Sequence, residues 1–216
     1  MTITKKTRLL PPPFIGTRIT IETPADESDF GIFGLTQTDK TQPIEIDWGD
    51  GTSERFTSSV SKKTHRYAKR GTYEIRISDN IHSLNISVVA ADGRTVWSEV
   101  YAPMIRSCIV TGQHSEWIGG YCFVNAKNMT RFEATNTSLF RIGVAGFKGC
   151  ESLSGELRFP TINTIPDTEE NQIFEGCPNL TRIRFAEKYE DMLTAMESYK
   201  ADPKLGAANA TVSFDL

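Results

Sequence analysis

The sequence has few of the features that announce chemistry in a chain of 216 residues. Its four cysteines, Cys108, Cys122, Cys150 and Cys177, include no CxxC pair, so a zinc site of the usual spacing is not expected. Three histidines, with no GxSxG, HExxH, P-loop or GxGxxG context, leave little acid–base or nucleophilic machinery. There is no basic excess: 24 Lys and Arg against 27 Asp and Glu give a net charge of −3, which argues against a nucleic-acid partner. No run approaches the roughly 20 apolar residues of a membrane span. Near the N-terminus only Leu9 and Leu10 precede Pro11, Pro12 and Pro13, short of the roughly 7 to 15 apolar residues of a secretory signal. The expectations are no enzyme, no cofactor, no membrane insertion and no visible export address.

What the first half does contain is alternation. Arg18–Thr23, Ile44–Trp48 and Tyr73–Ser78 alternate apolar and polar residues, the period of strands with one buried face. Turn clusters separate them, at 24–28 and 57–59, and no segment before residue 80 has a helical period. The stretch IEIDWGDGT, residues 44 to 52, admits three readings. Asp-Gly between two strands signals a hairpin, because both residues tolerate positive φ. A calcium site would use Asp47, Asp50 and Glu54, but the spacing is not that of an EF-hand. His65 as a catalytic base would need a nucleophile motif that is absent. The turn is the favoured reading. The segment Lys62–Arg70 carries Lys62, Lys63, Arg66, Lys69 and Arg70, which predicts a solvated loop or, as the sharper alternative, a salt-sensitive contact with an acidic glycan.

Residues 46–52, then His65-Arg66-Tyr67, then Gly71–Ile77 together resemble the W-D-F-G-D-G, H-x-Y and P-G-x-Y-x-V pattern of PKD-type domains. Ile46, Trp48 and Arg70 depart from it, where that family has Trp, Phe and often Pro. The resemblance implies an immunoglobulin-like β-sandwich over roughly residues 18 to 78, with Trp48 in its core and Tyr67 and Tyr73 packed near a strand corner.

The second half repeats. Phe147-Lys148-Gly149-Cys150-Glu151-Ser152-Leu153 and Phe174-Glu175-Gly176-Cys177-Pro178-Asn179-Leu180 share the frame F-x-G-C-x-x-L, and Phe123–Met129 is a degenerate earlier copy. Short strand-like pieces follow each: 130–132, 156–159 and 181–185. A period of 20 to 29 residues with a fixed apolar skeleton predicts a solenoid whose coils bury their Phe, Cys and Leu only when stacked. The frame, with Ile118-Gly119 and Ile142-Gly143 ahead of it, closely resembles the BspA-type leucine-rich repeat of bacterial surface proteins; Ile165-Pro166 interrupts that step in the third copy. Residues 80 to 116 would start the solenoid. Tyr189, Met192, Leu193, Met196 and Tyr199 predict an amphipathic capping helix over 186–204, and 210–214 a closing strand.

The fold class expected is therefore mostly β with a minor α component: a small antiparallel β-sandwich over 1–79, then a short leucine-rich-repeat solenoid over 80–216 with a C-terminal capping helix and strand. The function this implies is a non-enzymatic binding or adhesion module facing a protein or carbohydrate, at the cell surface or secreted by family resemblance. The alternative is a structural component of a phage particle or a spacer in a larger assembly. Candidate ligand-binding residues are the aromatics Trp97, Tyr101 and Trp117, which are either a sugar platform or packing, and the basic Lys63, Arg66, Lys69 and Arg70. Cys150 and Cys177 hold equivalent positions, where a disulfide is conceivable and reduced thiols filling a core slot are favoured. The sequons at Asn85, Asn128, Asn136, Asn179 and Asn209 read as by-products of the repeat.

Overall fold

The computed structural model describes residues 13–89, 95–96, 99–135, 138–166 and 172–216. In chain order the strands are β1 (Gly16–Glu22), β2 (Ser28–Gln37), β3 (Ile44–Asp47), β4 (Ser53–Phe56), β5 (Val60–Tyr67), β6 (Thr72–Ser78), β7 (Ile81–Asn85), β8 (Val88–Val89), β9 (Thr95–Val96), β10 (Ile105–Val110), β11 (Trp117–Ile118), β12 (Arg131–Ala134), β13 (Arg141–Ile142), β14 (Gly155–Phe159), β15 (Leu180–Phe185) and β16 (Thr211–Phe214). Two short helices, α1 (Glu190–Ala195) and α2 (Glu197–Ala201), lie between the last two strands. The molecule is mostly β, in mixed sheets.

One sheet runs β12-β10-β1-β6-β3-β4 and a second β13-β11-β7-β2-β5; β14-β15-β16 form a third, and β8 pairs with β9. The early strands pair antiparallel, β3 with β4 as a hairpin and β1 with β6, β2 with β5 and β3 with β6 across longer connections. From β10 onward the pairing becomes parallel: β10 with β12, β7 with β11, β11 with β13, β14 with β15, and β15 with β16. A parallel partner requires the chain to cross back each time, and the intervening turns do so. Both large sheets run through the expected division at 79/80, since β10 pairs with β1 and β7 with β2. Buried residues of all three sheets, from Ile19 to Ala210, join one apolar cluster.

The F-x-G-C-x-x-L copies share one local geometry. Main-chain amides of Cys150 and Leu153 bond back to Phe147 and Cys150, those of Cys177 and Leu180 to Phe174 and Cys177, and those of Ala126 and Met129 to Phe123 and Ala126. Between copies, the amides of Phe123, Phe147 and Phe174 each reach 2.9 Å to the carbonyls of Gly146, Ile173 and Leu205. The rings stack accordingly: Phe123 to Phe147 at 5.3 Å and Phe147 to Phe174 at 5.5 Å between centroids. The glycine of the frame is needed because its φ is positive, +75° at Gly149 and +73° at Gly176. In the degenerate copy Asn125 occupies that place at φ +60°, asparagine being the non-glycine residue that tolerates it best. A second ladder, Phe159 to Phe185 to Phe214 at 5.8 Å per step, lies along the third sheet.

Two expectations need correction. The basic segment is not a loop throughout: as far as Tyr67 it is β5, an edge strand paired along its length with β2. The single helix over 186–204 is instead a 3-10 turn (Glu187–Tyr189), α1 and α2, broken at Met196, whose backbone is extended (φ −78°, ψ 135°). At about 100° per residue, Leu193 and Tyr199 would sit about 120° apart on a straight helix. The break lets both be buried.

Candidate functional site

The hairpin of β3 and β4 carries the densest polar cluster. Asp47 Oδ1 accepts the Gly49 amide at 2.9 Å. Asp50 Oδ1 accepts the Thr52 amide at 3.0 Å and its hydroxyl at 2.6 Å, while Asp50 Oδ2 lies 2.8 Å from His65 Nε2. The turn's own amides thus bond to one oxygen each of Asp47 and Asp50, and among the described residues no three His, Cys, Asp or Glu side chains are grouped to hold a metal. Burial pulls the Asp50 carboxyl upward, but Thr52 and His65 outweigh it and hold the group below its ordinary value. The His65 ring stacks on Trp48 at 4.8 Å and meets Tyr67 edge-on at 4.7 Å. Tyr67 donates to the Trp48 carbonyl at 2.9 Å, and burial raises its phenol. Trp48 is fully buried, and its indole N–H donates to Glu54 at 3.0 Å. No serine, threonine or cysteine side chain hydrogen-bonds His65 among the described residues. What the Asp50–His65 pair does is tie the hairpin tip of one sheet to the edge strand of the other.

The basic residues are largely neutralised. Lys63 pairs with Glu54 at 2.5 Å, Arg66 with Asp29 at 3.1 Å, Lys69 with Asp26 at 3.0 Å, and Arg70 lies 4.0 Å from Glu22. Exposed pairs of this kind add little to stability. Their consequence is electrostatic: four of the five charges of the strand and the turn after it have acidic neighbours, while the Lys62 ammonium lies 5.7 Å from the Phe33 ring centre.

The aromatic candidates do not form one platform. Trp97 lies outside the described residues. Tyr101 is buried, 9% exposed, with its ring 5.9 Å from Phe30, so it packs the core beside β2. Trp117 is half-buried on β11, opposite Arg141 of β13, whose guanidinium carbon sits 4.5 Å above the indole. Arg141 was not legible as a site residue, because its pairing with Trp117 is a cross-strand contact between successive copies.

All four cysteines are free and buried. Cys150 and Cys177 donate to the carbonyls of Phe123 and Phe147, the equivalent phenylalanines one copy earlier, at 3.3 and 3.1 Å. Burial pushes the Cys122 thiol to about 12 and Cys108 and Cys150 well above the usual thiol value, so these groups are unreactive core fillers. Three sequon asparagines are structural as well. Asn128, Asn179 and Asn209 each donate a side-chain N–H, at 2.8 Å, to the carbonyls of Pro103, Glu151 and Pro178.

No known protein family, characterised protein or solved structure matches this chain.

A surface depression of about 540 Å³ lies where the parallel ladder is interrupted between β12 and β14. Phe132, Ala134, Pro160 and Leu216 line it together with Glu133, Glu156 and Arg158. Its charged rim is internally paired: Arg131 with Glu133, Arg158 with Glu156, and Arg184 with both Glu156 and Asp215.

Proposed function

We propose that the chain is a non-enzymatic binding module: a PKD-like β-sandwich continued by a short BspA-type leucine-rich-repeat solenoid, presenting its outer surface to a protein or carbohydrate partner. The observation that supports this most is the in-register phenylalanine column at 123, 147 and 174, with the same main-chain bonds repeated at each copy. Coils built this way commit their inward side chains to packing and leave the outward ones for contact. The polar groups that would serve chemistry have structural duties here. Asp50 and His65 close a hairpin, and the thiols of Cys150 and Cys177 bond to carbonyls of the preceding copy. Likeness of fold alone is a weak guide to a ligand, so the test is direct. Purified protein applied to arrays of glycoproteins, matrix proteins and polysaccharides is expected to give saturable binding to at least one class. Uniformly linear, unsaturable signals across all three would refute the reading.

A further inference from the structure

We propose that the cross-strand pair Trp117 and Arg141 is the anion-reading part of this surface, and that its ligand is an acidic saccharide whose carboxylate seats on the Arg141 guanidinium. The inference rests on the binding-module reading and adds to it the ligand class and the place. Among the described residues, Arg18 and Arg141 are the arginines with no carboxylate within ion-pair distance. The neighbouring acid, Glu116, is held by His82 at 3.0 Å. Stacking on Trp117 at 4.5 Å orients the guanidinium without neutralising it, leaving a planar fork that matches a carboxylate. Trp117 Nε1 and Arg141 Nε are both buried donors without an acceptor, so two orphaned N–H groups fall on one contact. A carboxylate brings two acceptor oxygens to that spot, and a small turn of the untethered Arg141 side chain would let it meet them. One step further along, Arg141 bridges to Thr164, whose neighbour Asn163 is exposed, so hydroxyl and amide groups continue the row in the direction a sugar chain would run. Among the described residues the exposed large hydrophobic side chains, Ile15 and Val100, lie on other segments. The row carries no wide exposed apolar patch of the kind that marks many protein-binding sites, and its one aromatic with hydroxyl and amide neighbours suits a sugar ring, which favours a saccharide over an acidic protein. In the basic strand and turn at 62–70, the anion site suggested by sequence, Lys63, Arg66, Lys69 and Arg70 have acidic neighbours, and Lys62 lies over the Phe33 ring.

The test titrates the full chain, by calorimetry, with galacturonate and glucuronate-containing oligosaccharides and with their carboxyl-reduced neutral counterparts. Binding of an acidic oligosaccharide is expected to weaken by at least about tenfold in Arg141→Gln and in Arg141→Lys, the loss of one charge-assisted pair. It is expected to be unchanged in Lys69→Gln and Arg70→Gln. The urea midpoint of each variant checks that the fold is intact. Equal binding by Arg141→Gln, equal binding of the reduced sugars, or no binding of any acidic oligosaccharide would overturn the assignment. A neutral glycan or protein ligand found on the arrays in that last case would leave the binding-module reading standing, whereas silence everywhere would remove both.

Discussion

Gly49 and Gly51 flank Asp50 with φ of +81° and +92°, yet their surroundings differ. A Cβ at Gly51 meets nothing within 4 Å, whereas one at Gly49 would lie 2.6 Å from the Glu74 carbonyl of the neighbouring strand. Gly51→Ala is expected to cost about 1 kcal/mol of left-handed strain. Gly49→Ala should add about 1–3 kcal/mol of steric displacement to that, and urea denaturation of the two variants separates the terms. The same turn sets an acid limit. Asp50 is held below its ordinary value, so folding favours its charged form. The stability this adds is complete above about pH 4 and fades as pH falls through the lowered value. Asp26, lowered by the Arg70 amide and Lys69, and Asp215, lowered by Arg184, act in the same direction. Urea midpoints are expected to hold steady from pH 7 to about 5 and to drop below about pH 4. Asp50→Asn should be less stable at neutral pH and show a shallower drop.

At the scale of elements, the repeated copies are held by columns rather than by individual contacts. Phe147 is fully buried between Phe123 and Phe174, and Phe132 meets it edge-on at 4.8 Å. Phe147→Ala would empty a site walled by the Phe123, Phe132 and Phe174 rings, each held in place by its own packing. A loss of about 3–5 kcal/mol is expected by chemical denaturation. Phe214, at the end of the second column and only partly buried, should cost distinctly less when truncated. The chain past Lys204 is also more than a closing strand. Lys204–Ala210 repeats the frame at full length: Lys204 stands at the Phe place beside the buried Leu205, Gly206 is the Gly at φ +86°, Ala207 the Cys and Ala210 the Leu. The amide of Ala210 bonds to the Ala207 carbonyl as Leu180 does to Cys177, and Asn209 continues the asparagine column.

For the whole molecule, the decisive feature is that β7 and β10 belong to the same sheets as β2 and β1. A fragment ending at residue 79 would expose the edges that β7 and β10 now cover, including main-chain groups along Gly16–Glu22 and Gly34–Gln37. Bare edges of that kind favour aggregation over folding. The fragment 1–79 is expected to show collapsed amide dispersion in an NMR spectrum, while the full chain unfolds in one cooperative urea transition. A dispersed spectrum from the fragment would show that residues 1–79 fold without the rest of the chain.

Local rules explain what the sequence determined by itself. Period-2 alternation located β1, β3 and β6, Asp-Gly located the hairpin, and the F-x-G-C-x-x-L frame located the copies, because side-chain direction and positive φ depend on neighbours in the chain. The candidate site was legible only in pieces: Trp117 stood out as an aromatic, whereas Arg141 gave no signal. Tertiary structure decided the rest. It turned Val60–Tyr67 into a strand because β2 offered an edge, and it broke the capping helix so that Leu193 and Tyr199 could both reach the core. It also neutralised Lys63, Arg66 and Lys69 with acids from distant segments, and set Arg141 on Trp117. Each of these depends on which residues meet across space, and no spacing along one segment encodes that.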